Sequence, residues 1–310
     1  NMTLAANMIS ANVQYGQIEK IKEVAGVQEV ILENRYEPCV VKQEETADPN
    51  MATSDKMIGS SAAWAAGYTG AGSRIAIIDT GADVDHPSLD PDALKYALQG
   101  SDATIMTEAD LTDEVLNQLN AYTRKAGLTA ADFYVNEKIP FGFNYVDADT
   151  DITHDNDTQG DHGSHVTGIA AGNRFVKDEA GNYVAALDSV MTQGVAPDAQ
   201  ILTMKVFGKG GGAYDSDYMV AIEDAMVLGA DAANLSLGGS FPGYSEYTEE
   251  KYRHILDEIV GSGMVVTISA GNSGSWFDQT AFGLPYAGSV NWATNGSPGS
   301  YVNSLCSLRR

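Results

Sequence analysis

Positive charge is scarce in this chain. Lys and Arg number 18 against 42 Asp and Glu over 310 residues, a formal net charge of −24 with a pI near 4.3. Such a surface repels phosphate backbones and anionic lipid, so nucleic acid is not expected as a partner. Cysteine is scarcer still. Cys39 and Cys306, at opposite ends, are too few for a disulfide framework. No apolar run is long enough to span a bilayer. A basic start followed by an apolar core is also lacking, so no signal peptide is readable, and Asn1 is expected to be a cut end.

What is present suffices for a core. The chain is 44% hydrophobic, with 15 Tyr, 8 Phe and 3 Trp, enough for one large domain and a small one. Residues 1–40 read as a small α+β unit, with a helical stretch from Tyr15 to Val24 and "VQEVILEN" (27–34) as a strand. Residues 41–60 are polar, hold no sustained apolar period and read as an exposed link. From residue 61 the rhythm changes. Continuous apolar runs at 74–81, 199–207, 231–239 and 263–272 end in small or polar residues, as strands buried on both faces do. Amphipathic helices are expected at 215–229, capped by Asp215 or Ser216, and at 248–261. The alternation predicts an α/β domain with a mostly parallel sheet and helices on both faces. Residues 91–158 interrupt it as an acidic, helix-prone stretch, read as a surface insertion.

In an open parallel sheet, ligands collect at the carboxyl ends of the strands. Asp79 ends "RIAIID", Ser236 and Gly238 end a second run, and Asn272 follows "TISAG". His162 opens the small-residue helix "HGSHVTGIAAG". Each has a plain reading alone: a turn former, a loop residue, a helix cap. Together they set an acid, a base and an amide donor on one rim. The pair His162 and His165, with Asp155, Asp157 and Asp161 nearby, also has the look of a metal clamp, although the Glu of an H-E-x-x-H site is missing. His86 is expected to hold a turn, His154 to sit in an acidic loop and His254 on the polar side of its helix.

Four stretches in order, "IAIIDTGADVDHPSL", "DHGSHVTGIAAG", "NLSLGG" and "ISAGNSG", resemble the subtilisin-like serine peptidases. The resemblance covers about residues 61–310, and the Asp-then-His order is the one found in subtilisin. It implies that His162 is the general base, that Asp79 fixes its tautomer and stabilises the imidazolium, and that Asn272 donates to the oxyanion. His165 is then structural, and no metal is catalytic. Ser236, Leu237 and Gly238 would pair with the substrate backbone as an added strand, with Gly211 and Gly212 as the opposite edge. No cofactor is required. Many family members carry a calcium-ligating Asp nine positions after the catalytic Asp. Ser88 stands there in this chain, so a structural calcium site has no support.

The family's nucleophile lies in a G-T-S-M-A-type segment, and none occurs here. The serines after Asn272, namely Ser273, Ser275, Ser289, Ser297, Ser300, Ser304 and Ser307, lack that context. The long acidic insertion between Asp79 and His162 resembles that of the large cell-envelope peptidases, the lactocepin and C5a-peptidase group. In that group another domain separates the Asn from the Ser. The expectation is therefore an N-terminal fragment whose sheet is incomplete at the C-terminus. Residues 1–40 would be the end of an inhibitory propeptide and 41–60 the processing region. Protein or peptide substrates, the chain's own propeptide as a partner, and an extracellular or cell-wall location follow from the resemblance. The alternative is a non-catalytic peptide-binding relative that has lost its nucleophile.

Overall fold

The apolar run around Asp79 becomes the strand Arg74–Asp79, and its two edges organise the domain. One edge pairs in parallel with Gln200–Lys205, the other with Ala232–Leu235. Val265–Ser269 and Leu305–Ser307 extend one side, and Phe141–Asn144 closes the other, so six parallel strands form the central sheet among the described residues. The computed structural model describes residues 2–3, 7–38, 51–155, 157–238, 254–255, 257–271, 298–299 and 305–307. No helix among them is long and apolar enough to cross a membrane.

Successive strand residues point to opposite faces, and the two faces carry two separate clusters. Ala76, Ile78, Leu202, Met204, Ala233, Leu235, Val266 and Ile268 pack with Met219 and Ile222 of the helix Asp215–Val227. Ile77 and Ile201 pack on the other face with Ala171, Val166 and Ala170 of the helix His162–Ala171. Each buried Ile contributes about 1.5–3 kcal/mol of hydrophobic stabilisation. The sheet is thus covered on both faces, as the near-continuous apolar runs require.

The acidic stretch 91–158, expected as a surface insertion, is not confined to the surface. Phe141–Asn144 is an edge strand of the central sheet, and Leu111, Leu116, Leu119, Phe133, Phe141 and Phe143 are buried in the larger cluster. Its charges mask a second apolar pattern in its sequence. The short helix Asn120–Arg124 docks on the long helix through Asp224, whose carboxylate accepts from the Asn120 and Ala121 amides and the Tyr145 hydroxyl. Burial raises Asp224 to about 6, against the pull of those donors.

The N-terminal region differs from expectation in register. The helix is shorter, Ile18–Lys22, behind a 3-10 turn at Tyr15–Gln17. Residues 27–34 form no strand; the strand is Arg35–Pro38. A strand needs partners, and only 35–38 meets free edges, those of Ala213–Tyr214 and Leu237–Gly238. The expected link is helical in its second half, at Met51–Ile58, followed by the helix Ser60–Ala65. Residues 41–50 lie outside the described residues.

Candidate active site

Asp79 is the last residue of the central strand and is 0% exposed. A carboxylate buried so completely requires hydrogen-bond donors. Its Oδ1 has two: the backbone N–H of Thr80 at 2.7 Å and Nδ1 of His162 at 2.8 Å. Its Oδ2 has no hydrogen-bond partner among the described residues. The His162 side chain is 15% exposed, so the ring sits in the wall of the rim with part of its surface open. A carboxylate on one ring nitrogen fixes the tautomer and leaves the other nitrogen to exchange protons.

The two motifs hold each other through their small residues. The Thr80 hydroxyl accepts from the Gly163 amide at 2.8 Å and so caps the His162 helix from the strand end. A Cβ at Gly163 would lie 2.1 Å from the Gly81 carbonyl oxygen, so only glycine allows this approach. Gly81 has φ +108, and a Cβ there would meet the Ile152 carbonyl oxygen at 2.2 Å. The Ser164 hydroxyl accepts from the Asp83 amide at 2.7 Å, fastening the turn after Asp79 to the same helix.

Lys205, opposite Asp79 in the register, was not foreseen as a site residue. Its ammonium is buried and donates to the Thr80 carbonyl and to Asp157, tying the loop before His162 to the strand end. The only hint in sequence is a charge closing the apolar run "AQILTMK". His165 is exposed. His86 accepts from the Ser88 amide and starts the turn Pro87–Leu89. Among the described residues no group of three or more His, Cys, Asp or Glu is set to hold a metal.

At the same carboxyl edge lies a slot one strand wide. Leu237 and Gly238, just beyond the strand Ala232–Leu235, form one side, and the Leu237 carbonyl accepts from Ser269 at 2.9 Å. The other side is Ala213–Tyr214, directly after Gly211 and Gly212. Those glycines have φ of +83 and +69 and shape the turn, while Ala213 and Tyr214 carry the pairing. The Ser236 hydroxyl accepts from Asn234 at 3.0 Å. The slot is filled by Arg35–Pro38, antiparallel to both sides, with Tyr36 opposite Ala213 and Pro38 opposite Leu237. Asp215, one of the two residues expected to cap its helix, instead accepts from Asn34 just before this segment, from Tyr36 within it and from Tyr218. Asp217 takes the Tyr214 amide in its place. Burial pushes both Asp215 and Asp217 above the usual carboxylate range. Asn272 and the serines Ser273, Ser275, Ser289, Ser297, Ser300 and Ser304 lie outside the described residues, and of Ser307 only the strand position is described.

The subtilase family profile matches residues 70–306. The chain is 32% identical over 274 residues to a PI-type proteinase of Lactococcus lactis subsp. cremoris, covering 87% of this chain and 12% of that protein. It is 30% identical over 249 residues to the minor extracellular protease Vpr of Bacillus subtilis (strain 168), covering 78% and 23%. It is 29% identical over 238 residues to a C5a peptidase of Streptococcus pyogenes serotype M6, covering 76% and 17%. The chain therefore spans a small part, 12% and 13%, of the proteinases it matches first. With the Asp79–His162 contact at its sheet edge and the profile running through nearly the whole domain, the chain belongs to the subtilase family.

Proposed function

We propose that this chain carries the acid–base half of a serine endopeptidase. His162 removes the proton of a serine hydroxyl as it attacks the peptide carbonyl and then returns it to the leaving amine. Asp79 holds the ring in the productive tautomer and stabilises the imidazolium. Asn272 supplies a side-chain N–H to the oxyanion. The serine belongs to chain beyond Arg310. The observation that carries this reading is the 2.8 Å contact between Asp79 and His162 beside a slot that accepts an extended segment.

In this reading Leu237–Gly238 and Ala213–Tyr214 grip the substrate backbone by strand addition. Residues 1–40 act as an inhibitory propeptide whose strand Arg35–Pro38 blocks the slot, and 41–60 is the processing region. A calcium ion is not needed for the chemistry. The resemblance of the chain to a protease named as extracellular supports a site of action outside the cell.

The test is an active-site fluorophosphonate label on the 310-residue chain and on a C-terminally extended one. The expected result is labelling of the extended chain only, abolished by His162→Ala. Labelling of a serine between Ser273 and Ser307 in the shorter chain would overturn the placement of the nucleophile. Peptide binding by the extended chain without labelling or hydrolysis would favour a non-catalytic peptide binder.

A further inference from the structure

The segment in the slot is held by more than its backbone. Tyr36 is 1% exposed, and its ring meets Tyr218 edge-on with centroids 5.2 Å apart. Its hydroxyl donates to Asp215 Oδ1 at 2.6 Å. The other oxygen of Asp215 accepts from the Asn34 amide at 2.7 Å and the Asn34 side chain at 3.0 Å. Glu33 accepts from the Ser216 amide at 3.0 Å. Asp215 itself is only 6% exposed. Were this segment to leave, the Tyr218 hydroxyl, at 2.9 Å, would be the one donor left of the four hydrogen bonds described for the Asp215 carboxylate. A strand that covers this carboxylate takes it away from water, so whatever fills the slot must bring donors of its own.

We propose that Asp215 and Tyr218 form a tyrosine-selective pocket, which reads the hydroxyl of a tyrosine in any strand that fills the slot. The occupant is an extended peptide with Asn two residues before Tyr, and the chain's own Asn34-Arg35-Tyr36 is one example. This deepens the proposed function, on which its extension to substrates rests. The pocket is lined by the Tyr218 ring, and the Asp215 carboxylate accepts from the tyrosine hydroxyl at its floor. Phenylalanine fills the same volume but leaves Asp215 without that donor, and sites built to bond a hydroxyl reject the analogue lacking it. Arg35, between the two reading positions, lies along the glycine turn: a Cβ at Gly212 would fall 2.1 Å from its Nε. That turn therefore leaves room for a long side chain between Asn and Tyr.

The test uses the full chain carrying Asn34→Ala and Tyr36→Ala, which weakens its own strand, and a labelled hexapeptide of residues 33–38, Glu-Asn-Arg-Tyr-Glu-Pro, read by fluorescence anisotropy. The tyrosine peptide is expected to bind at least about tenfold more tightly than its phenylalanine analogue. That preference should shrink to within about threefold in Asp215→Asn and fall in Tyr218→Phe. Equal binding of the two peptides would overturn the pocket. If neither peptide displaces the resident strand, hydrogen exchange at residues 33–38 decides. Tyr36→Phe in the otherwise unaltered chain should raise strand opening about tenfold, and unchanged exchange would overturn the proposal. Neither readout involves bond cleavage. A chain that never hydrolyses a peptide leaves the pocket standing, and a hydrolytic one without tyrosine preference removes only the pocket.

Discussion

His162 Nδ1 lies 2.8 Å from Asp79 Oδ1, and the same oxygen also takes the Thr80 amide. The carboxylate is thus oriented by the backbone of its own motif before it orients the histidine. In a chain extended to include the serine, Asp79→Asn should preserve this geometry while presenting a donor to Nδ1. That stabilises the wrong ring tautomer, and kcat should fall about 10⁴-fold. Steady-state hydrolysis of a peptide substrate measures it. A loss below tenfold would remove Asp79 from the proposed mechanism.

Gly163 and Gly168 sit in one helix and should respond oppositely to alanine. A methyl at Gly163 meets the Gly81 carbonyl, whereas nothing lies within 4 Å of the corresponding point at Gly168. Gly163→Ala should destabilise the fold by about 1–3 kcal/mol, the usual cost of overpacking. Gly168→Ala should be neutral or stabilising by up to about 1 kcal/mol through helix propensity. Urea midpoints of the two variants provide the comparison.

The buried pair of Lys205 and Asp157 invites a double-mutant cycle. Lys205→Met strands a buried carboxylate and should cost about 3–5 kcal/mol. Adding Asp157→Leu should recover part of that loss, because two apolar groups do not carry the desolvation penalty of one unpaired charge. Denaturant unfolding of the wild type, both singles and the double gives the coupling. Strict additivity would show that the pair does not act as a unit.

Lys138 gives stability a pH dependence of known sign. Its amine donates to the Pro197 and Ala199 carbonyls, and burial lowers it to about 7, with Asp198 pulling the other way. An unfolded lysine titrates near about 10.4. Below pH 7 both states are charged and the desolvation cost is fully present. Between pH 7 and 10 only the unfolded state holds the proton, so stability rises with pH across that window. Subtracting the unfolding free energy of Lys138→Met from that of the wild type at each pH should reveal this rise. A flat difference would mean that the lysine stays charged inside.

The sheet was legible where strands are continuous apolar runs bounded by small residues. The runs at 74–81, 199–207, 231–239 and 263–272 contain the strands Arg74–Asp79, Gln200–Lys205, Ala232–Leu235 and Val265–Ser269. Phe141–Asn144 was hidden because it is four residues long, contains a glycine and sits among acidic neighbours. The strand at Arg35–Pro38 was obscured by the more β-like composition of 27–34, because pairing depends on which edges are within reach and not on propensity. Asp79 and His162 stood out through their glycine-rich surroundings. Thr80, Lys205 and Asp215 did not, because their importance comes from partners remote in the chain.

Arg74–Asp79 lies at the middle of the sheet, yet its register partners begin at Gln200 on one side and Ala232 on the other. During synthesis it emerges with both edges bare. At about 5–20 residues per second, its second neighbour follows on the order of ten seconds later. Over that interval "RIAIID" is an unpaired apolar segment able to pair with any exposed strand it meets. The arrangement that buries Asp79 so completely in the finished domain leaves its strand open to misassociation in the nascent chain.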